Sequence, residues 1–499
     1  MELFDNLALG FSVALSWSNL LYCFAGALLG TIVGVLPGVG PVVTIALLLP
    51  LTFGLPAVSA IIMLAGIYYG AQYGGSTTAI LMKLPGEPSS VVTAIDGHAL
   101  ARQGKAGTAL GIAAIGSFVA GTLAAAFMAV SSPALARFAL EFGPADNFAL
   151  MAFGLVGAVV LARGNPLKAI AMVMVGLILG FVGTDVSSNA ERLTFGLSSL
   201  ADGLGFVVLS MGLVGVSEII ANLERPPAEQ GPQKQIGQVW PDRQAFEAAW
   251  RPILRGTAVG SILGVLPGAG AALASFTAYS LEKKLAHRPE RFGQGAIEGV
   301  AGPESANNAA AQTSFVPLLT LGLPSGATTA LLLGALTIQG IIPGPQIMTQ
   351  MPDLFWGVIA SMWIGNAILL VLNLPLIGLW VRMMQVPYRW LYPAVLLFCA
   401  IGVYSLGNNP ADVLITAVFG VLGYAFAKLD CDPAPLLLGF ILGPLMEENF
   451  RRALVITQGD FAVFVTRPIS ASLLAAAVLL LITLLLPAIR RGRDLAFQE

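Results

Sequence analysis

Long uncharged apolar runs recur along the whole sequence, separated by short segments that hold most of the Lys and Arg. A membrane-crossing helix needs roughly 20 predominantly apolar residues, so the pattern predicts about 12 crossings plus some broken segments. Helices are expected near 107–130, 145–162, 354–381, 391–405 and 469–489. The expected fold class is an all-α polytopic membrane protein whose transmembrane helices are joined by broken or re-entrant hairpins. No long stretch is left over for a soluble catalytic domain.

Self-similarity sharpens this picture. Residues 26–40 read GALLGTIVGVLPGVG and residues 256–270 read GTAVGSILGVLPGAG, so glycines 26, 30, 34 and 38 reappear at 256, 260, 264 and 268. A looser echo follows each copy, STTAILMKLPGEPSS at 76–90 and SFVPLLTLGLPSGATT at 314–329. Each is an apolar stretch broken at Leu-Pro and followed by small hydroxylated residues. The expected organisation is a first transmembrane repeat over 1–225, a cytoplasmic linker over 226–250, a second repeat over 251–467, and a C-terminal helix and cytoplasmic tail over 468–499.

Basic residues in short loops favour the cytoplasmic side. Arg102 and Lys105, Arg163 and Lys168, the segment from Arg225 to Arg255, Lys283 to Arg291, Arg382 and Arg389, and Arg490 to Arg493 mark that side. The second GVLPG lies between two basic segments, as a hairpin entered from the cytoplasm would. The first has no Lys or Arg before Lys83, which suits entry from the periplasm. The two copies are therefore expected to be inverted, an organisation common in secondary transporters.

Composition agrees: of 499 residues, 56% are hydrophobic and 10% charged, with a mean hydropathy of +0.82, whereas soluble domains carry about a quarter charged residues. The net charge of −2 indicates neither nucleic acid nor an acidic partner. Cys23, Cys399 and Cys431 have no spacing suited to zinc or a redox pair and read as small apolar packers. Glu2 and Asp5 stand where a secretory signal would be basic, so the first helix is expected to be retained.

Glycines at every fourth position leave a flat helix face for close packing. The Pro-Gly breaks carry more chemistry. Pro37 and Pro267 remove a backbone donor, and Gly38, Gly40, Gly268 and Gly270 permit turns, so the helices should stop within the membrane and leave free amides. Bare backbone at that depth is tolerated only in protein interior or a wet cavity, and half-helix N-termini attract carboxylates. Pro85, Gly86, Ser89, Ser90 and Thr93, and Pro324, Ser325, Thr328 and Thr329, repeat this logic with hydroxyls that cap helix starts or donate to a ligand. Ser76 and Thr77, and Asn307, Asn308, Gln312 and Thr313, are further polar groups in apolar surroundings. Neutral oxygens and unwound carbonyls also suit a coupling cation, for which Val35, Val265, Asn308 and Thr313 are the candidates.

Charged residues in these stretches are few. Lys83 is a possible charge partner for a substrate carboxylate, or pairs with Glu87 four residues on. Asp96 and His98 are expected to be solvated at a cytoplasmic helix end. Glu298 and Glu304 flank a Gly-Pro break, where either relays a proton or caps a loop. No HExxH or GxSxG occurs, and GHALARQGKAG lacks the spacing of a phosphate-binding loop, so no catalytic or metal-ligating residue is expected.

Four motifs, GTIVGVLPGVGP, YYGAQYGGSTTAILMKLPGEPSSVVTAIDGHALARQGKAG, GSILGVLPGAGA and EGVAGPESANNAAAQTSFVPLLTLGLPSGATTALLLGAL, together resemble the large membrane subunit of the tripartite tricarboxylate transporter family over roughly residues 15 to 470. The resemblance implies a non-enzymatic, multi-pass protein of the bacterial inner membrane, embedded in lipid, that takes up small organic carboxylates. It further implies secondary transport driven by an ion gradient, with Na+ or H+ as coupling ion and no cofactor. A small membrane subunit of about four helices and a periplasmic solute-binding protein are the implied partners. Lys83 departs from the neutral residue found at that position in the family. Two other readings stay open from the sequence: a transporter for another small anion that needs no binding protein, and an intramembrane enzyme.

Overall fold

The computed structural model describes residues 2–36, 39–162, 165–185, 188–224, 236–266, 270–384 and 388–485. The first part comprises α1 (Glu2–Ala14), α2 (Trp17–Gly34), α3 (Pro41–Leu48), α4 (Ala57–Met82), α5 (Ser90–Leu100), α6 (Ala106–Ala139), α7 (Pro144–Leu161), α8 (Pro166–Gly180), α9 (Phe206–Ser210) and α10 (Ser217–Glu224). The second comprises α11 (Arg243–Val265), α12 (Gly270–Leu285), α13 (Glu298–Thr313), α14 (Phe315–Leu321), α15 (Ala327–Ile338), α16 (Ile347–Gln350), α17 (Pro352–Asn373), α18 (Ile377–Met383), α19 (Tyr388–Gly407), α20 (Pro410–Lys428), α21 (Pro433–Ile456), α22 (Val463–Thr466) and α23 (Pro468–Leu485). A two-residue ribbon, β1 (Gly183–Thr184) antiparallel to β2 (Glu191–Arg192), lies between α8 and α9.

Among the described residues, five helices are long and apolar enough to cross a membrane: 17–34, 90–139, 206–224, 352–373 and 410–428. Six shorter apolar helices accompany them. Pro and Gly stop several of the other apolar runs early, in keeping with the broken segments expected beside the crossings. Outer faces are apolar, with Leu414, Val418 and Val421 on α20 and Val478, Leu479 and Ile482 on α23 exposed, a patch that suits lipid.

Two helices form the interior. Every residue from Ser59 to Leu81 on α4 and from Gly299 to Thr313 on α13 is buried. The expected break at Gly302-Pro303 does not occur: α13 runs straight through Pro303.

Glycine stripes place a broken helix on each of these axes. Gly26, Gly30 and Gly34 of α2 lie against the backbone of Met63, Ile67 and Ala71 of α4, while Gly66, Gly70 and Gly74 of α4 return the contact. Numbers rise together on both helices, so α2 and α4 run parallel and α3 is the return limb of a hairpin. In the second half, Gly256, Gly260 and Gly264 of α11 meet Gly302, Ala306 and Ala310 of α13 in the same way. Here α12 returns, clamped to α11 by a bidentate Arg255–Glu282 pair. The packing role of the glycines is therefore real, and it is what holds each hairpin in place.

The axes cross in opposite senses. Tyr69 on α4 meets Phe315 of α14, just past the end of α13, their ring centroids 6.0 Å apart, whereas Ser76, further along α4, bonds Glu304 on α13. A rising number on one side thus meets a falling number on the other.

A methyl group at Gly30 would press on the Ile67 carbonyl, whereas Gly378 faces open space. Gly30→Ala is expected to cost about 1–3 kcal/mol and lower Tm in detergent, with Gly378→Ala as the mild comparison. Equal melting of the two variants would refute the packing argument.

Candidate functional site

A cavity of about 910 Å3 lies where the broken segments meet. Helix beginnings form part of its wall, Gly40 and Pro41 at α3, Ser89 at α5, Gly270 and Ala271 at α12, and Ala327 at α15, and the acids Glu87, Glu218, Asp430 and Asp432 also line it. Two of these helices come from each half. Helix N-termini carry unsatisfied N–H groups and partial positive charge, so four of them around one space favour an anion. Gly270 adopts φ +58, a left-handed turn that suits glycine and starts α12 at the cavity wall. Gly40 lies against the Gly86 carbonyl, joining the first GVLPG hairpin to the first Leu-Pro segment.

The residues expected to bind substrate divide into groups. Gly40, Pro85, Gly86, Ser89, Gly270, Ser325, Thr328 and Thr329 line this cavity. Thr329 accepts from the Gly326 amide at 2.9 Å, the capping role foreseen for it. Ser90 is buried and donates to the Glu87 carbonyl at 3.0 Å, and Pro324 is buried behind Ser325. Asn307 donates to the Glu87 carboxylate at 3.1 Å. Ser76, Thr77 and Asn308 gather instead around Glu304, away from the large cavity. Gly38 and Gly268, with Pro37 and Pro267, lie outside the described residues.

Of the ion-coupling candidates, Val35 is fully buried at the α2 C-terminus and Val265 half-buried at the α11 C-terminus. Thr313 donates to the Ala309 carbonyl at 3.0 Å beside Gly264. Lys83 is exposed, with φ +56 at the C-cap of α4, and does not line the cavity. Among the described residues it forms no ion pair with Glu87, because helix spacing does not extend across 83–89: α4 has ended and α5 not yet begun.

Glu87, expected from the sequence only as a partner for Lys83, stands instead at this cavity. It lines the cavity beside Tyr68 and Gln72 and accepts from Asn307 across the halves. The Gln72 amide, oriented by its partners with nitrogen toward the carboxylate, donates to Glu87 Oε2 at 2.6 Å. An acid between two prolines in an apolar stretch was the available signal.

Asp96 is also placed differently from the solvated helix end expected of it. It is fully buried, and Oδ1 accepts from the amides of Gly293, Gly295 and Ala296 at 2.8–2.9 Å while Oδ2 accepts from the Tyr279 hydroxyl at 2.9 Å. It ties α5 to the turn that opens α13. Charge-assisted bonds to backbone amides satisfy a buried carboxylate. His98 Nδ1 lies 3.1 Å from the Ile80 carbonyl. Glu298 pairs with Arg291 at 3.8 Å.

The fold and cavity define a multi-pass helical membrane protein with an internal cavity. The chain belongs to the tripartite tricarboxylate transporter TctA family, whose model matches residues 20–438. It is 56% identical over 499 residues to an uncharacterized 52.8 kDa protein of Agrobacterium vitis from the TAR-I ttuC′ 3′ region, covering 100% of this chain and 99% of that one. A second Agrobacterium vitis protein, from the TAR-II ttuC′ 3′ region and also uncharacterized, is 61% identical over 240 residues, 48% of this chain and 99% of its own length. No solved structure matches the chain.

Asp96→Asn can keep an oxygen toward the three backbone amides but removes its charge and sets an NH2 group against the Tyr279 hydroxyl that now donates to Oδ2, so a loss of about 1–3 kcal/mol is expected. Faster hydrogen exchange at residues 293–297 checks it; exchange identical to the wild type would remove Asp96 from this role.

Proposed function

We propose that the chain is the large, substrate-translocating subunit of a binding-protein-dependent secondary transporter. It takes up small organic di- or tricarboxylates across the bacterial inner membrane by symport with Na+ or H+. The observation that carries this reading is the cavity of about 910 Å3 ringed by helix N-termini from both halves. Such a space attracts carboxylates without a lysine or arginine at its centre. Family membership supplies the transporter class and the expectation of a small membrane subunit and a periplasmic binding protein.

The halves are read as inverted repeats. Parallel α2 and α4, parallel α11 and α13, and the opposed pairing of α4 with α13 support hairpins that enter from opposite faces. The cavity then reaches one face between the loops near Asn165 and Asp432, which help to line it. The Lys168 side of that wall is cytoplasmic by the positive-inside rule.

Cells expressing this chain with its small membrane subunit and binding protein are expected to accumulate labelled citrate or a related acid. Gly40→Val, which drives a side chain into the Gly86 carbonyl, should reduce uptake at least tenfold at equal membrane abundance. Undiminished uptake would sink the site assignment. For topology, single cysteines at the exposed positions Pro56 and His287, on a background without Cys23, Cys399 and Cys431, should react with a membrane-impermeant maleimide from opposite sides. Labelling from the same side ends the inverted arrangement.

A further inference from the structure

Behind the large cavity, Glu304 is fully buried near the middle of α13. Its carboxylate accepts from Ser76 Oγ at 2.5 Å, Thr93 Oγ1 at 2.9 Å and Asn308 Nδ2 at 3.2 Å. Asn308 also donates to Ser117 Oγ at 2.7 Å. An amide nitrogen only donates, so Oε1 of Glu304 and the Ser117 oxygen both act as acceptors toward it. Among the described residues no ion pair includes Glu304.

Beside this carboxylate is a separate cavity of about 10 Å3 whose polar lining is Glu304, Ser76, Thr77, Tyr73, Ser117 and Asn373, the rest of its wall being apolar. That volume is about one water-sized sphere, too small for an organic acid. Asn373 and Tyr73 are each more than nine-tenths buried, and Asn373 Oδ1 and the Tyr73 hydroxyl have no hydrogen-bond partner. The Asn373 amide nitrogen is already committed to the Leu369 carbonyl at 2.9 Å, which leaves its oxygen as the group on offer. Such orphaned oxygens are costly unless something occupies the space.

We infer that Glu304, Ser76, Thr77, Ser117 and Asn373 form a buried site for one sodium-sized monovalent cation. The ligand chemistry carries the choice. One carboxylate with several neutral oxygens is a hard-oxygen set, and its single negative charge balances a monovalent ion. A divalent ion would leave net charge in the interior, which is expensive. No group of three or more His, Cys, Asp or Glu suited to a multivalent metal occurs among the described residues. Four helices supply the ligands, α4 and α6 from the first half and α13 and α17 from the second, so occupancy bonds the two halves together. That this is the coupling ion's site rests on the transport reading proposed above.

The test uses the purified full chain in detergent with NaCl as the probe, against equal KCl and choline chloride at constant pH and ionic strength. Sodium alone is expected to raise Tm saturably, and calorimetry to give one site per chain. Glu304→Gln should weaken sodium binding at least tenfold. Asn373→Ala and Ser117→Ala serve if that variant does not fold, each expected to weaken it several-fold with the size-exclusion profile unchanged. No sodium response in the wild type, a response to pH alone, or equal sodium affinity in the folded variants overturns the site, the small cavity then holding water or a proton. Binding of sodium needs no organic acid, so the two proposals fail separately: sodium binding without carboxylate uptake sinks the transport reading, and uptake indifferent to sodium sinks the coupling role.

Discussion

Everything in this molecule depends on backbone meeting backbone between a broken helix and a central one. Inside a bilayer there is little hydrophobic gain from bringing two apolar helices together, so association rests on close van der Waals contact. The stripes at Gly26, Gly30 and Gly34 and at Gly256, Gly260 and Gly264 provide it. Because those contacts hold the hairpins in place, the starts of α3 and α12 can open onto the cavity with free amides. A looser contact would leave the same amides to water or to each other.

The two halves share a scaffold but not their charges. Met63 and Gly302, the packing partners of equivalent glycines, are separated by the same 239 residues as Pro85 and Pro324 of the Leu-Pro segments. In that register Glu87 corresponds to Gly326, and Glu304 to Ala65. Each acid is therefore unique to its half, and each is held by the other half: Glu87 by Asn307, Glu304 by Ser76 and Thr93. Repetition built the cavity, and divergence placed single charges beside it.

Legibility in the sequence followed the range of the forces involved. The hairpins, the glycine packing and the broken helix starts were readable because Gly and Pro act locally on the backbone. Eight of the sixteen residues expected to bind substrate line the large cavity, since they sit at those breaks. Lys83 and Glu87 misled because helical spacing was assumed across Pro85 and Gly86. Asp96 looked like a solvated helix end because its partner amides lie about 200 residues downstream. Glu304, Ser117 and Asn373 converge from three separate helices, and no local pattern announces such a meeting.

That long separation bears on how the protein is made. At about 5–20 residues per second, the interval of 200 residues between Asp96 and Ala296 lasts on the order of 10–40 s. Throughout that time the first half holds Asp96, Ser76 and Thr93 without the partners that will satisfy them. The nascent first half is therefore an incomplete body that the insertion machinery must shelter from lipid. Only when the second half, from Tyr279 on α12 to Glu304 on α13, emerges and docks do these groups find those bonds, which makes its arrival the step that commits the chain to its final form.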